Sequence, residues 1–353
     1  LLLLAEGLRE RGHGQVVVCP ESSALEARAR DAGFRVVTLP AHDLGYEFGS
    51  LLLRQFLAAE PCDVVHAHDG RGQTIAWIAT AGTRVKRVAS RRVTFLPRGL
   101  PARIRLYRLK YTLTCHRAIA ISNQVRELMI DSGVPGSRVE VIPDGIEIPV
   151  ELPGPEVRAR VRAQWGLSDR DLAIGHVGAF APEKGQDIAI EAMAGLKDRL
   201  PTARLLLVGR VSVEVLRPLG GLLDRAGKSV RLLGYLDDLP GFFAGLDLYV
   251  MPSRAEGLGS SALLAMAHGL PVVASRVGGL PDVVEEGRTG WLVAPEAGGE
   301  VSAKALAEAI ALAAADREHL AAMGAQARER AREFASGIMV ERTEALYQRL
   351  LAA

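Results

Sequence analysis

A strand that ends in a polar, glycine-containing loop and runs directly into a helix and a second strand leaves a chain few folds to choose from. Residues 246–275, LDLYVMPSRAEGLGSSALLAMAHGLPVVAS, carry that pattern. LDLYVMP is a short apolar run bounded by Pro252 and reads as a buried strand. SRAEGLG is a loop. SSALLAMAHG reads as a helix with Ser near its start and Gly269 and Pro271 to stop it. PVVAS is the next strand. Such a unit puts its loop at the carboxyl end of a parallel sheet, where α/β folds bind ligands. Backbone N–H groups at Gly259, Ser260 and Ser261 would point out of the helix start and favour an anion, phosphate above all. Glu256 is the loop's one carboxylate. A tight strand–helix turn with a solvated Glu fits the spacing equally well.

The rest of the chain repeats the alternation. QVVVC, FRVVTL, CDVVHAH, VKRVAS, RAIAIS and RVEVI read as strands separated by helices, among them a basic helix around Ala102–Leu113. That order predicts βαβ units and a parallel sheet covered on both faces. PDGIEIPVELPGP then packs Pro143, Pro149, Pro153 and Pro155 into a stiff connector, the natural domain boundary. Beyond it DLAIGHVG, ARLLLVG and VRLLGY are strands, with helices over 187–197 and 213–226. The end is purely helical, over 302–315, 318–333 and 338–352. With 353 residues there is length for two α/β domains, each with its own core.

No stretch approaches the roughly 18–20 apolar residues of a membrane span. The opening LLLL runs into AEGLRERGHG and reads as an amphipathic helix rather than a signal segment. With no Met before it and no strand ahead of it, the sequence is expected to begin inside a domain, after a first strand and its loop. Cys19, Cys62 and Cys115 have no paired spacing for zinc or disulfides, which points to a reducing cytoplasm. The net charge of +2 hides an asymmetry: from Arg84 to Arg117 there are eleven Arg or Lys and no acid. Arg91, Arg92, Arg98, Arg103, Arg105 and Lys110 alternate there with Leu, Ile, Phe and Tyr. Such a mixture suits an anionic membrane surface or an anionic acceptor, with no nucleic acid expected. A solvated helix face is the alternative, but helices elsewhere in the chain mix both signs.

DVVHAHD ends a predicted strand with His66 and His68 on one face. His66 reads as a satisfied core histidine and His68, beside Asp69 and Gly70, as the exposed one; no third ligand makes them a metal pair. In GHVGAFAPEKGQD, Gly178 opens a loop and Lys184 precedes a helix, where its charge adds to the amide dipoles. A lone Lys there is usually only solvated, but with Gly257, Leu258, Gly259, Ser260 and Ser261 on the same sheet edge it makes a diphosphate clamp. Gly278 and Gly279 precede Pro281 and read as structural turns.

In this order DVVHAHD, AIAISNQV, VIPDGIEI, VGAFAPEKG, LLLVG, VRLLGYLDDL, PSRAEGLGSSALLAMAHGLPVVAS and VGGLPDVVEEGRTGWLV resemble the retaining glycosyltransferases of family four, of GT-B fold, over nearly all of residues 1–350. The resemblance implies two Rossmann-like, doubly wound domains facing across a cleft. Residues 1–148 would form the acceptor side and 149–335 the nucleotide-sugar side, with 336–353 crossing back to the first domain. It implies a donor diphosphate held by Lys184 and by amides around Gly259 and Ser260. Glu256 and His68 would lie at the sugar, and Tyr235 and Leu236 at the base. It implies neither metal nor cofactor, the nucleotide-sugar being a substrate. Three departures stand out. Leu264 occupies the place of the family's second Glu, a loss on the order of 1.5–3 kcal/mol of donor binding. Ala179 stands where many members have Arg, for which Arg210 is the candidate substitute. The family's first strand and its Gly-rich loop are absent from the start.

The expected function is therefore retaining transfer of a sugar to a glycan or lipid-linked acceptor in envelope synthesis, lipopolysaccharide or a related polysaccharide. The expected place is the cytoplasm, peripheral on the inner membrane face. The alternatives are a non-catalytic relative acting as a membrane-surface or complex partner, and a sugar-nucleotide epimerase. A dinucleotide-dependent dehydrogenase is disfavoured, because no G-x-G-x-x-G follows a strand with an acid about 20 residues on.

Overall fold

The computed structural model describes residues 1–40, 45–94, 109–296 and 299–353. The chain divides into two compact units, Leu1–Gly145 with Ser336–Ala353, and Ile146–Ala335. It is a mixed α/β protein whose strands pair in parallel throughout the described residues.

In the first unit β1 (Val16–Pro20) pairs with β2 (Arg35–Leu39). A second sheet runs in chain order, β3 (Val64–Ala67), β4 (Lys86–Arg91), β5 (Arg117–Ala120) and β6 (Val139–Val141). The helix Gly70–Ala79 starts where β3 ends because Asp69 caps it, accepting hydrogen bonds from the amides of Arg71 and Gly72. The last helix, Ser336–Ala352, belongs to this unit. Its Met339, Val340, Leu346 and Leu350 form one apolar cluster with Leu4 and Leu8 of the helix Leu2–Glu10 and with Val88, Ile119 and Ile142. The approach is close enough that a Cβ on Gly7 would stand 2.4 Å from Val340 Cγ2.

The second unit holds one sheet in the order β12–β11–β10–β7–β8–β9, from β7 (Leu172–Val177), β8 (Ala203–Val208), β9 (Val230–Gly234), β10 (Leu248–Met251), β11 (Val272–Ser275) and β12 (Gly290–Val293). Leu205, Leu206 and Leu207 and all of β10 and β11 are buried, as a sheet covered on both faces requires. From β7 the chain winds first toward β9, then returns to β10 and winds the other way. The switch point lies between β7 and β10.

Two helices differ from the sequence reading. The helix Pro155–Gln164 follows directly from the proline connector, where the sequence pattern marks no helix. The helix expected over 213–226 is interrupted: Val213–Leu216 and Gly220–Ala226 are α-helical, with a 3-10 turn at Arg217–Leu219. Pro218 lacks the N–H that would continue the ladder.

Candidate active site

The loops following β7 and β10 lie side by side at the switch point, where open α/β sheets bind ligands. After β7 the chain makes a 3-10 turn, Pro182–Lys184, and passes through Gly185 at φ 68° into the helix Gln186–Leu196. After β10, Pro252–Gly259 leads into the helix Ser260–Ala267. Lys184 Nζ donates to Glu256 Oε2 at 2.8 Å, and Ser253 Oγ lies 3.4 Å from the same oxygen. Arg254 locks the two loops together. It donates to both oxygens of Asp187 at 2.8 and 2.7 Å, to the Pro182 carbonyl and to Glu300. Burial opposes ionisation of Asp187, but the Arg254 hydrogen bonds and charge outweigh it and hold its carboxyl below the usual range.

The helix Ser260–Ala267 begins at Gly259, φ 101°, with no side-chain cap. Its first amides are thus left for an anion. Beneath the site, burial drives His176 down to about 4, and its Nδ1 donates to the Val250 carbonyl at 3.0 Å. The Tyr249 hydroxyl bridges the amide and carbonyl of Val177.

The other donor candidates of this unit divide. Gly257 and Ser261 are half-buried and Ser260 is exposed, whereas the Leu258 side chain is buried in the core, leaving only its backbone for a ligand. The Gly178 amide is taken by the Val208 carbonyl at 2.9 Å. Arg210 stands over the exposed Tyr235 ring, 5.3 Å from its centroid, next to half-buried Leu236. Leu264 lies half-buried on the Ser260–Ala267 helix.

In the first unit both nitrogens of His66 are engaged, Nδ1 with the Tyr347 hydroxyl at 2.6 Å and Nε2 with Ser90 Oγ at 2.8 Å. Burial, reinforced by the nearby Arg92 charge, drives His66 down to about 3, and burial raises Tyr347. The half-buried His68 ring lies 4.1 Å from that of His66, and its Nδ1 is 2.9 Å from Arg92 Nη1. Arg92 in turn pairs with Asp144 at 2.8 Å. Asp144 was not singled out from the sequence, because it sits in what reads as linker.

The candidate basic surface behaves differently from expectation where it is described. Arg91 is buried, Arg92 is held by Asp144 and His68, and Lys110 donates to the Gly70 carbonyl at 2.7 Å. Arg98, Arg103 and Arg105 lie outside the described residues, as does most of the basic helix, of which residues 109–114 are helical. Among the described residues no group of three or more His, Cys, Asp or Glu gathers as a metal site, and no helix is long and apolar enough to cross a membrane.

Two family models match in succession: Glycosyltransferase Family 4 over residues 1–148 and Glycosyl transferases group 1 over residues 171–316. The chain belongs to the family-four glycosyltransferases. Among the relatives of this glycosyltransferase chain is a GDP-mannose-dependent alpha-(1-6)-phosphatidylinositol monomannoside mannosyltransferase of Mycobacterium tuberculosis. It is 29% identical over 344 residues, 90% of this chain and 85% of the relative. The enzyme of the same name from Mycolicibacterium smegmatis is 34% identical over 217 residues, 59% of this chain and 55% of the relative, so that match spans about half of the relative's length. The crystal structure of Anabaena HepE in complex with UDP superposes with a TM-score of 0.87 at 23% identity, covering 99% of this chain and 95% of that one. The fold is GT-B.

Proposed function

We propose that this glycosyltransferase moves a hexosyl unit from a nucleotide-sugar to a glycan or lipid-linked acceptor with retention of configuration. The observation that supports it most is the Lys184–Glu256 pair at the switch point, beside the uncapped start of the Ser260–Ala267 helix. Together these offer a cation and free amides to a diphosphate and a carboxylate to the sugar it carries. The bond from the anomeric carbon to the diphosphate breaks, and the acceptor oxygen bonds that carbon on the same face. The acceptor proton passes to the departing diphosphate oxygen. Such a step needs charge stabilisation of the leaving group more than a protein nucleophile. His68 is assigned a hydrogen bond to the sugar. GDP-mannose, named for the mycobacterial relatives, is the first donor to try, and an inositol-containing lipid the first acceptor. Envelope synthesis at the inner membrane face accords with exposed Tyr46, Phe48, Leu51, Leu109 and Leu113 in the first unit.

Calorimetry with GDP-, UDP- and ADP-sugars tests the donor reading. One of them binds, and Lys184→Ala weakens it by roughly one to two decades, the worth of a charge-assisted hydrogen bond. Failure of all three to bind refutes the donor assignment. A second reading, a non-catalytic relative working at a membrane surface, is favoured by Leu264. It requires vesicle binding that survives Glu256→Gln, with no transfer by either form.

A further inference from the structure

His68 ends β3 among groups that leave its ring little freedom. Arg92 Nη1 stands 2.9 Å from its Nδ1. A guanidinium has donors and no lone pair, so the ring nitrogen facing it must be the acceptor. Arg92 cannot swing away cheaply, because its Nε lies 3.1 and 2.9 Å from the two oxygens of Asp144 and its Nη2 2.8 Å from the first. Asp144 is itself fixed. It lies two residues after buried Ile142, behind Pro143, and precedes Gly145, whose amide contacts Met339 Sδ and where a Cβ would stand 2.6 Å from Ser336 Cα. His66 offers no competing proton, since Tyr347 and Ser90 take both its nitrogens.

We infer that Arg92 and Asp144 are positioning residues that fix His68 as the neutral Nε2–H tautomer, a hydrogen-bond donor to an oxygen of the bound sugar and not a base. This rests on the reading that His68 meets the sugar. With Nδ1 occupied by Arg92 and Nε2 protonated, no lone pair remains to accept the acceptor's proton, which leaves that proton to the diphosphate oxygen.

The surroundings keep the ring neutral. The groups around it are His66 from β3 and Arg92 beyond β4, with Asp144 beyond β6 behind Arg92 and Tyr347 behind His66. Burial first, then His66 and Arg92, hold His68 well below the ordinary histidine range.

Histidine-selective 15N labelling of the full chain, with His68→Gln to assign the signal, reads tautomer and protonation directly through two-bond proton–nitrogen correlations. His68 is expected as the Nε2–H form from pH 7 to pH 5. Arg92→Met should mix the tautomers and raise the titration point, whereas Arg92→Lys, which still donates, should restore the Nε2–H form. Asp144→Asn should mix the tautomers less than Arg92→Met. An Nδ1–H form or an imidazolium at pH 7 in the wild-type chain overturns the inference, as does an unchanged Arg92→Met spectrum. Should Arg92→Met fail to fold, the wild-type and Arg92→Lys spectra still decide. If the spectra are as expected while His68→Gln transfers sugar at the wild-type rate, the sugar-contact reading fails and the tautomer assignment stands.

Discussion

Lys184 and Glu256 already satisfy one another, at 2.8 Å and with side chains 27% and 12% exposed, so on the proposed donor reading an incoming diphosphate must draw the ammonium away from a carboxylate. Glu256→Gln removes that competitor and one repelling charge. The variant should bind a free nucleoside diphosphate about three- to tenfold more tightly, a gain of about 1 kcal/mol typical of a partly exposed pair, while sugar transfer falls. Calorimetry and a transfer assay check both halves; weaker binding by the variant would mean that Glu256 serves to aim Lys184. Each residue was legible alone, because each follows a strand and a glycine-bearing loop. Their pairing was not, since it joins positions 72 apart through the β7–β10 neighbourhood. Asp144 was illegible for a related reason: its meaning comes from Arg92, 52 residues earlier, and its own neighbours are Pro143 and Gly145.

The elements show where periodicity fails as a guide. The helix Pro155–Gln164 buries Arg162, which donates to the carbonyls of Gly245, Ser168 and Asp171 and, with Arg158, pairs with Asp247. A charged residue on the inner face broke the apolar stripe that would have marked it, although Pro155 at the first position and Glu156 in the first turn were readable signals. The turn before Gln186–Leu196 is more brittle. Gly185→Ala would force an L-residue to φ 68° and place a Cβ 2.0 Å from the Pro252 carbonyl oxygen. A loss of about 3 kcal/mol or more is expected, read as a lower denaturation midpoint at unchanged slope. On the last helix, Leu346→Ala should cost about 2–5 kcal/mol, since the side chain is 2% exposed within the Leu4–Leu350 cluster. Thermal denaturation measures it, and a change under 1 kcal/mol would contradict that packing.

At the scale of the molecule, the two runs of strand–helix alternation on either side of the proline cluster were enough to read the fold class. The acid response also belongs to this scale, because each unit holds a histidine that its surroundings keep neutral. His66, driven down to about 3, and His176, to about 4, stay neutral in the folded chain and take up protons when it unfolds. Between pH 6.5 and about 4 the unfolded state therefore binds more protons. Their contribution to stability is level above about pH 7 and falls on acidification by about 1.4 kcal/mol per pH unit for each histidine. Urea titrations across that range test this, with His176→Gln expected to flatten the slope. One last consequence follows from which residues make up each unit. Ile146–Ala335 is a single run of chain, but the first unit needs Ser336–Ala353 to cover Leu4, Leu8, Val88, Ile119 and Ile142. On the ribosome the part made first is thus finished last. Its oldest apolar surface waits, on the order of tens of seconds, while the whole of the second unit is translated ahead of the helix that seals it.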